Sequence, residues 1–174
     1  HYITVLRVPF VDDPSNDDPR FERVRTRAAL VELDALGITH DRLASTATAM
    51  QAAQQALAAR MRDVAALCVE TEFGHLQIDR DAFARIEPDT QHRLMACALQ
   101  WTAHAPYRPR LDSLTRSVAE AQSGKSSTLH GCQIIVGKRH LHVVRELNAV
   151  AHLRSPAAQV WDSGWRVCPG PQTQ

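Results

Sequence analysis

Apolar positions repeat at helical spacing over the first two thirds of the chain. Between residues 19 and 36 they form one stripe: Phe21, Val24, Ala28, Val31 and Ala35. A segment over 41–69, rich in Ala and free of Gly and Pro, carries a longer series spaced by fours and threes: Leu43, Ala47, Met50, Leu57, Met61, Val64 and Cys68. These patterns predict two amphipathic helices, and the second has a coiled-coil-like seam.

Turn and capping residues set the ends of the predicted helices. Asp18 before Pro19 is a typical helix start, and Gly37 is a typical helix end. A third helix is predicted to open at Pro88, and a fourth to run over 109–121. The helical body therefore continues almost without a break to about residue 123.

Strand-like spacing occurs at three places. A short strand is predicted over 75–78, and Asp79 after it would cap a brief helix. Residues 131–146 form two β-branched runs around the turn 137–140, which predicts a hairpin. A further short strand is expected over 160–167.

These elements predict a mainly α chain with a small β part, of the α+β class. A bundle-like helical domain over 19–123 is followed by a small β-rich unit over 124–168 that contains the hairpin. Residues 1–18 precede the helical domain, and residues 169–174 form a tail without predicted secondary structure.

Composition narrows the class of protein. Leu, Ile, Val and Phe make up 40 of 174 residues, so the chain can bury a core. No apolar run approaches the roughly 18 residues of a membrane-spanning helix. The cysteines are widely spaced and form no CxxC pair, which favours reduced thiols in the cytoplasm: Cys68, Cys97, Cys132 and Cys168.

Charge is distributed unevenly along the chain. The formal net charge is only +1, yet residues 108–174 carry nine basic and four acidic side chains. This excess is typical either of a solvated basic face or of a surface that contacts a polyanion. The aromatic residues in this region and directly before it are few, which argues against base stacking as the main binding mode: Tyr107, Trp161 and Trp165.

Two short motifs in the same region carry weaker signals. His140 and His142 share one face of a predicted strand but have no third candidate ligand, so a structural role is favoured over a metal site. The segment Gly124-Lys125-Ser126-Ser127 follows a predicted helix and precedes a strand, which is the reverse of a phosphate-binding P-loop. No metal ligand set and no nucleophile with its base are therefore predicted in this chain.

The first predicted helix is preceded by a turn-rich segment and presents a group of arginines. Arg20, Arg23 and Arg27 lie together beside the apolar stripe, where guanidinium groups can hold phosphates. The alternative is that they pair with the acidic residues nearby, which are Asp17, Asp18, Glu22 and Asp34.

The segment 13–27 resembles a signature of the tRNA(Ile)-lysidine synthetase family, DxSN(x)6Rx3R. The matching residues are Asp13, Ser15, Asn16, Arg23 and Arg27. In that family this motif closes the catalytic domain, so the resemblance implies that residues 1–18 are the end of that domain or a linker from it.

A second, looser match to the same family follows downstream. The segments YRPRLDSL, Thr128–Gly131 and Arg145-Glu146 occur in the family's order. Val24 stands where the family often has Asn, and His130 stands where Gly is usual. The two matches together cover about residues 9–167, most of the chain.

The resemblance implies an ATP-dependent ligase that joins lysine to C2 of the first anticodon cytidine of tRNA(Ile) with a CAU anticodon. ATP with Mg and lysine would be substrates of the whole enzyme. The family's Ser-Gly-Gly-x-Asp-Ser loop is missing from this sequence, so the chain resembles the carboxy-terminal part alone. It is expected to need no cofactor of its own, to bind tRNA, to have no membrane contact and to be cytoplasmic.

The basic end is expected to contact the tRNA backbone. The candidate residues lie at a helix entry, in a loop and around the hairpin: Arg108, Arg110, Lys125, Lys138, Arg139 and Arg145. The alternative, from a different class of function, is a helical protein-interaction module that forms a homodimer through the seam over 43–68.

The missing loop leads to a test of activity. We expect the chain alone neither to hydrolyse ATP nor to incorporate lysine into tRNA, because it lacks the nucleotide-binding loop. Since it starts without Met, we also expect that loop roughly 150–200 residues upstream in the coding sequence, a distance suited to one domain. Pyrophosphate release by the pure chain with tRNA, lysine and ATP would contradict the first expectation, and a start codon at residue 1 the second.

Overall fold

Helices form where apolar positions repeat at helical spacing, as the computed structural model of the chain shows. The structure describes residues 16, 18–156 and 159–166. The helices in these ranges are α1 (Glu22–Ala35), α2 (His40–Cys68), α3 (Arg80–Ala84), α4 (Pro88–Ala103), α5 (Leu111–Gln122) and α6 (Leu147–Val150). No helix of the described residues is long and apolar enough to cross a membrane.

The predicted start of the first helix is wrong by three residues. Helix α1 begins at Glu22, with Phe21 in the N-cap position. Asp18 does not cap the helix, because its carboxylate accepts hydrogen bonds from the backbone N–H and the guanidinium of Arg20. At the other end Gly37 has φ +80°, the left-handed conformation that was expected of a residue that ends a helix.

The predicted cap of the short helix is confirmed. Asp79 Oδ1 accepts a hydrogen bond of 2.7 Å from the backbone N–H of Ala82, and helix α3 begins at Arg80. The predicted strand before it is also confirmed, since β2 spans His75–Asp79. Strand β1, Val69–Glu72, precedes it and follows helix α2 directly.

Five strands form one antiparallel sheet. Besides β1 and β2 it contains β3 (Ser127–Leu129), β4 (Cys132–Val136) and β5 (His140–Arg145), in the order β1-β2-β5-β4-β3. The predicted hairpin is confirmed as β4 and β5. The single strand predicted over 160–167 is wrong, because the chain reverses there and forms two short paired strands, β6 (Val160–Trp161) and β7 (Trp165–Arg166).

The core lies between one face of this sheet and helices α4 and α5. Alternate residues of β2, β4 and β5 point towards the helices and are buried: Leu76, Ile78, Cys132, Ile134, Leu141 and Val143. Helix α4 covers them with Leu94, Met95 and Leu99, and α5 with Leu114 and Val118. On the other face of β2 and β5 the side chains of the described residues are partly exposed.

The chain divides into two compact units at Gln54 and Gln55, inside helix α2. The described residues of the first unit include no buried side chain, whereas the second contains the whole core cluster. The predicted division between residues 123 and 124 runs through the second unit. There β2, the strand predicted within the helical domain, pairs with β5 of the predicted β-rich unit.

Several of the predicted features lie outside the described residues. These are the apolar run at the start of the chain, Asp13 and Ser15 of the first motif, Asp17, Cys168 and the tail over 169–174.

The buried thiol of Cys132 leads to a prediction about reactivity. Cys132 is 0% exposed, and its burial raises the pKa of the thiol to about 11 from the ordinary 9.0. Because the thiolate is the nucleophile, we expect iodoacetamide at pH 8 to modify the partly buried Cys97 well before Cys132 in a Cys168→Ser variant. Peptide mass spectrometry would measure both rates, with the denatured chain as the control in which the two thiols react alike.

The same raised pKa makes stability depend on pH. Folding favours the protonated thiol, so this contribution is complete below about pH 9 and is lost as pH rises towards 11. We expect the free energy of unfolding to fall more steeply over that range in the natural chain than in a Cys132→Ala variant. An equal pH dependence of the unfolding free energy in the two chains would contradict a raised pKa of the Cys132 thiol.

Candidate nucleic-acid interface

Three segments of the second unit meet at one end of the sheet. The backbone N–H of Arg80, at the start of α3, donates 2.8 Å to the carbonyl oxygen of Arg139 in the β4–β5 turn. The Arg80 guanidinium also donates to the carbonyl oxygen of Gly137, over 3.2 Å. A Cβ atom added at Gly124 would lie 3.3 Å from Arg80 Nη2, so the α5–β3 loop packs against the same guanidinium.

These contacts bring together the segments that carry four cations, and we call these four residues the basic cluster: Arg80, Lys125, Lys138 and Arg139. The two lysines and Arg139 are exposed, and Arg80 is partly buried. None of the four forms an ion pair with a carboxylate of the described residues. The neighbouring carboxylate of Asp79 is engaged in capping helix α3. The cluster therefore presents positive charge to solvent without a direct ion-pair partner among the described residues.

The loops that carry the cluster are tied to the sheet. The backbone N–H of Val136 donates 3.0 Å to Ser126 Oγ, which holds the α5–β3 loop beside strand β4. The backbone N–H of Gly137 donates 2.9 Å to the carbonyl oxygen of His140, which closes the β4–β5 turn. Fixed backbones reduce the conformational entropy that would be lost on binding.

Three histidines continue the polar surface along the partly exposed face of β2 and β5. The ring centroids of His75 and His142 are 5.8 Å apart, and those of His140 and His142 are 6.2 Å apart. A Cβ atom added at Gly137 would lie 3.4 Å from His142 Nε2, so the histidine row adjoins the turn of the basic cluster. Within the described ranges, no three His, Cys, Asp or Glu side chains are arranged to hold a metal ion.

Arg108 and Arg110 lie apart from the basic cluster. Both are exposed and precede helix α5, whereas Lys125 follows its end. A helix of 12 residues is about 18 Å long, so the two groups are separated by roughly that length. Arg108 lines a cavity of about 240 Å³ together with His92 and Arg93.

Arg145 is engaged within the fold. Its Nε donates 2.7 Å and its Nη2 donates 3.1 Å to the two carboxylate oxygens of Asp162, and its Nη1 donates 2.8 Å to the carbonyl oxygen of Gly131. The hydrogen-bonded Asp162 carboxylate raises the pKa of Arg145. A side chain at Gly131 would overlap this guanidinium. Arg145 thus ties the β6–β7 hairpin to strand β5.

The three arginines at the start of helix α1, of which Arg20 precedes the helix, have different surroundings. Arg20 pairs with Asp18, with Nη2 and Oδ2 2.6 Å apart, which bears out the pairing alternative for this residue. That contact lowers the pKa of the Asp18 carboxyl. The Arg23 guanidinium lies 5.2 Å from the centroid of the Phe21 ring. Arg27 is exposed and has no hydrogen bond or ion pair to another described residue.

Sequence reasoning missed two sets of residues that the fold brings to the surface. No sequence pattern indicated Arg80 as a site residue, because only the pairing of β2 with β5 places it beside the hairpin turn. Trp101 and Phe73 lie before the basic end but are exposed by 48% and 88% in the folded chain. Of these two, Trp101 lines one cavity together with Trp165 of the basic end.

Comparison with known proteins gives matches of one kind. The chain is 30% identical to a tRNA(Ile)-lysidine synthase of Ruegeria pomeroyi over 91% of its length, which is 38% of that relative. It is 26% identical to the tRNA(Ile)-lysidine synthase of Wolbachia pipientis wMel over 87% of its length, and 25% identical to that of Anaplasma marginale over 76%. The chain spans about a third of the length of these relatives.

These matches place the chain in a family of tRNA-modification enzymes. Within that class it is a member of the tRNA(Ile)-lysidine synthase family, which confirms the resemblance seen in the sequence motifs. No family model matches the chain, and no solved structure matches it significantly.

The ion pair between Arg145 and Asp162 leads to a prediction about stability. Asp162→Ala leaves a guanidinium that is only 22% exposed without its carboxylate, which should destabilise the chain by about 1–3 kcal/mol. It should also free the β6–β7 hairpin. Urea unfolding and limited proteolysis would measure the two effects.

Arg166→Ala serves as the control for this variant, since Arg166 lies in the same hairpin and is exposed. We expect it to change stability by less than about 0.5 kcal/mol. Equal stability of the Asp162→Ala and Arg166→Ala variants would show that the ion pair contributes nothing to the attachment of the hairpin.

Proposed function

We propose that this chain is the tRNA-binding carboxy-terminal part of an ATP-dependent tRNA(Ile)-lysidine synthase. The whole enzyme would join lysine to C2 of the first anticodon cytidine of tRNA(Ile) with a CAU anticodon, in the cytoplasm. The family relationship supports the reaction class. The contribution of this chain would be to hold the tRNA.

The basic cluster is the observation that carries this proposal. Arg80, Lys125, Lys138 and Arg139 lie on three segments that meet at one end of the sheet, and none of them forms an ion pair with a described carboxylate. Such a group costs free energy through mutual repulsion, and a polyanion relieves that cost. Phosphate groups of an RNA backbone fit both the charge and the hydrogen-bond donors of arginine.

The other predicted residues fit into this proposal with different roles. Arg108 and Arg110 would contact the tRNA at a second position, about one helix length from the basic cluster. Arg145 would act by holding the loop at Gly131 and the β6–β7 hairpin in place. Its guanidinium would then contribute to tRNA binding through the fold.

The first motif would serve the junction with the catalytic domain. Arg27 is exposed and can reach a phosphate, and Asn16 is exposed in front of the same helix. Asp13, Ser15 and Arg23 complete the motif. ATP with Mg²⁺ and lysine would bind in the catalytic domain. The P-loop-like segment 124–127 joins a helix to a strand, whereas a phosphate-binding loop joins a strand to a helix.

A second proposal from a different class rests on helix α2. Leu43, Met50 and Leu57 are seven residues apart and all exposed, with Met50 69% exposed. A heptad series of this kind is typical of helix–helix association, so a homodimer through α2 is the alternative function. Apolar association persists or tightens as salt rises, whereas phosphate binding weakens.

The decisive experiment measures tRNA binding across a salt series in the full-length enzyme. We expect Lys138→Ala and Arg139→Ala each to weaken binding and to flatten the slope of log affinity against log salt by about 0.7 to 0.9, the value for one phosphate contact. Thermal unfolding of both variants should stay close to that of the natural enzyme, because both side chains are exposed.

Arg116→Ala is the matched control. Arg116 is exposed on α5, two helical turns before the loop that carries Lys125. We expect its removal to leave the affinity and the slope unchanged. If Lys138→Ala and Arg139→Ala behave like Arg116→Ala, the basic cluster does not bind tRNA. A concentration-dependent, salt-resistant dimer that is lost in Met50→Lys would then favour the second proposal.

A further inference from the structure

A small aromatic cavity lies in the second unit, where three segments distant in sequence meet. It has a volume of about 200 Å³ and is lined by Gly74, Trp101, His104, Gly164 and Trp165. We call it the aromatic slot. Gly74 belongs to the β1–β2 turn, Trp101 and His104 to the end of α4, and the last two residues to the β6–β7 hairpin.

Two glycines allow the close approaches that build the slot. A Cβ atom at Gly74 would overlap the indole of Trp165, and a Cβ atom at Gly164 would overlap the imidazole of His104. Gly74 also has φ +76°, in the left-handed region. Both rings therefore pack directly on backbone, and their positions are determined by the fold.

The indole rings in the slot remain open to solvent. Trp101 is 48% exposed and Trp165 is 38% exposed, although both are anchored in regular elements. An exposed indole gains little from folding, whereas a planar ligand would bury its face. The slot therefore offers exposed indole faces on which a planar group of a binding partner can stack.

The charged residues near the slot indicate which kind of planar ligand it favours. None of the five lining residues is acidic. The acidic residue of the hairpin, Asp162, is neutralised by Arg145, and the next residue after Trp165 is the exposed cation Arg166. A cationic ligand would therefore find no carboxylate among the residues that line the slot. A base attached to a phosphate backbone finds π faces and a neighbouring positive charge.

We infer that the aromatic slot stacks an unpaired nucleobase of the bound tRNA, with Trp101 and Trp165 as its platform. This inference rests on the proposed function, since it specifies how the tRNA is held beyond its phosphates. The basic cluster would supply salt-dependent affinity that any duplex can satisfy. The slot would add a contact that requires a base free of its helix.

The test separates base stacking from phosphate contacts with two probes of equal charge. The intact chain is titrated with hexa-adenylate and with an abasic hexanucleotide of the same backbone, and indole fluorescence is recorded. We expect hexa-adenylate to quench the emission and to bind about tenfold more tightly than the abasic probe, within the range for one stacked base. Equal affinity for the two probes would overturn the inference.

Variants then assign the effect to the slot. Trp101→Leu should remove the preference for hexa-adenylate and leave the salt slope unchanged, while Trp101→Phe should restore part of the preference. Tyr107→Leu is the control, because Tyr107 is an exposed aromatic residue that does not line the slot. If the Trp101→Leu chain has the same unfolding temperature as the natural chain and still prefers hexa-adenylate, the base stacks elsewhere and the inference is refuted.

The outcome is distinguishable from failure of the proposed function. Suppose that tRNA affinity depends on salt as expected for phosphate contacts of the basic cluster, but Trp101→Leu leaves the affinity for both probes unchanged. The stacking role of the slot is then refuted, and the proposed function stands. If neither tRNA nor either hexamer binds, the proposed function itself fails. Binding of an aromatic or proline-rich peptide in place of the hexamers would assign the slot to a protein partner and overturn the inference.

Discussion

The pairing of strand β2 with strand β5 is the constraint on which the second unit depends. The two strands are far apart in the chain, yet Leu76 faces Val143 and Ile78 faces Leu141 across an antiparallel ladder, and all four side chains are buried. Because side chains alternate along a strand, a shift of one residue would turn this set to the opposite face. Helices α4 and α5 would then lose the apolar surface that they cover.

The same pairing organises the candidate interface. It places Asp79 opposite His140, so the chain leaves the sheet at Arg80 beside the β4–β5 turn. The positively charged residues lie on the loops at that end of the sheet. The apolar side chains of β2 and β5 point to the face that packs against the helices. The geometry of the core and the location of the charge are therefore two results of one register.

A second long-range contact arranges the opposite part of the unit. Arg145 holds Asp162, and the hairpin that carries Asp162 brings Trp165 against the backbone of Gly74. One arginine of the basic end thus positions an aromatic group instead of displaying its charge. This explains why a count of cations in the sequence overstates the charge that solvent meets.

The local elements and the family relationship could be predicted from the order of residues along the chain. Apolar spacing, the Asp79 cap and the hairpin turn depend on residues a few positions apart, and they were predicted correctly, whereas Asp18 failed as a cap because Arg20 competed for its carboxylate. Long-range contacts place Arg80 beside the β4–β5 turn, put Trp101 and Trp165 in one cavity and pair Arg145 with Asp162. These contacts depend on which distant strands pair, and that choice is made by the burial of whole faces, a property that spacing between neighbours does not encode.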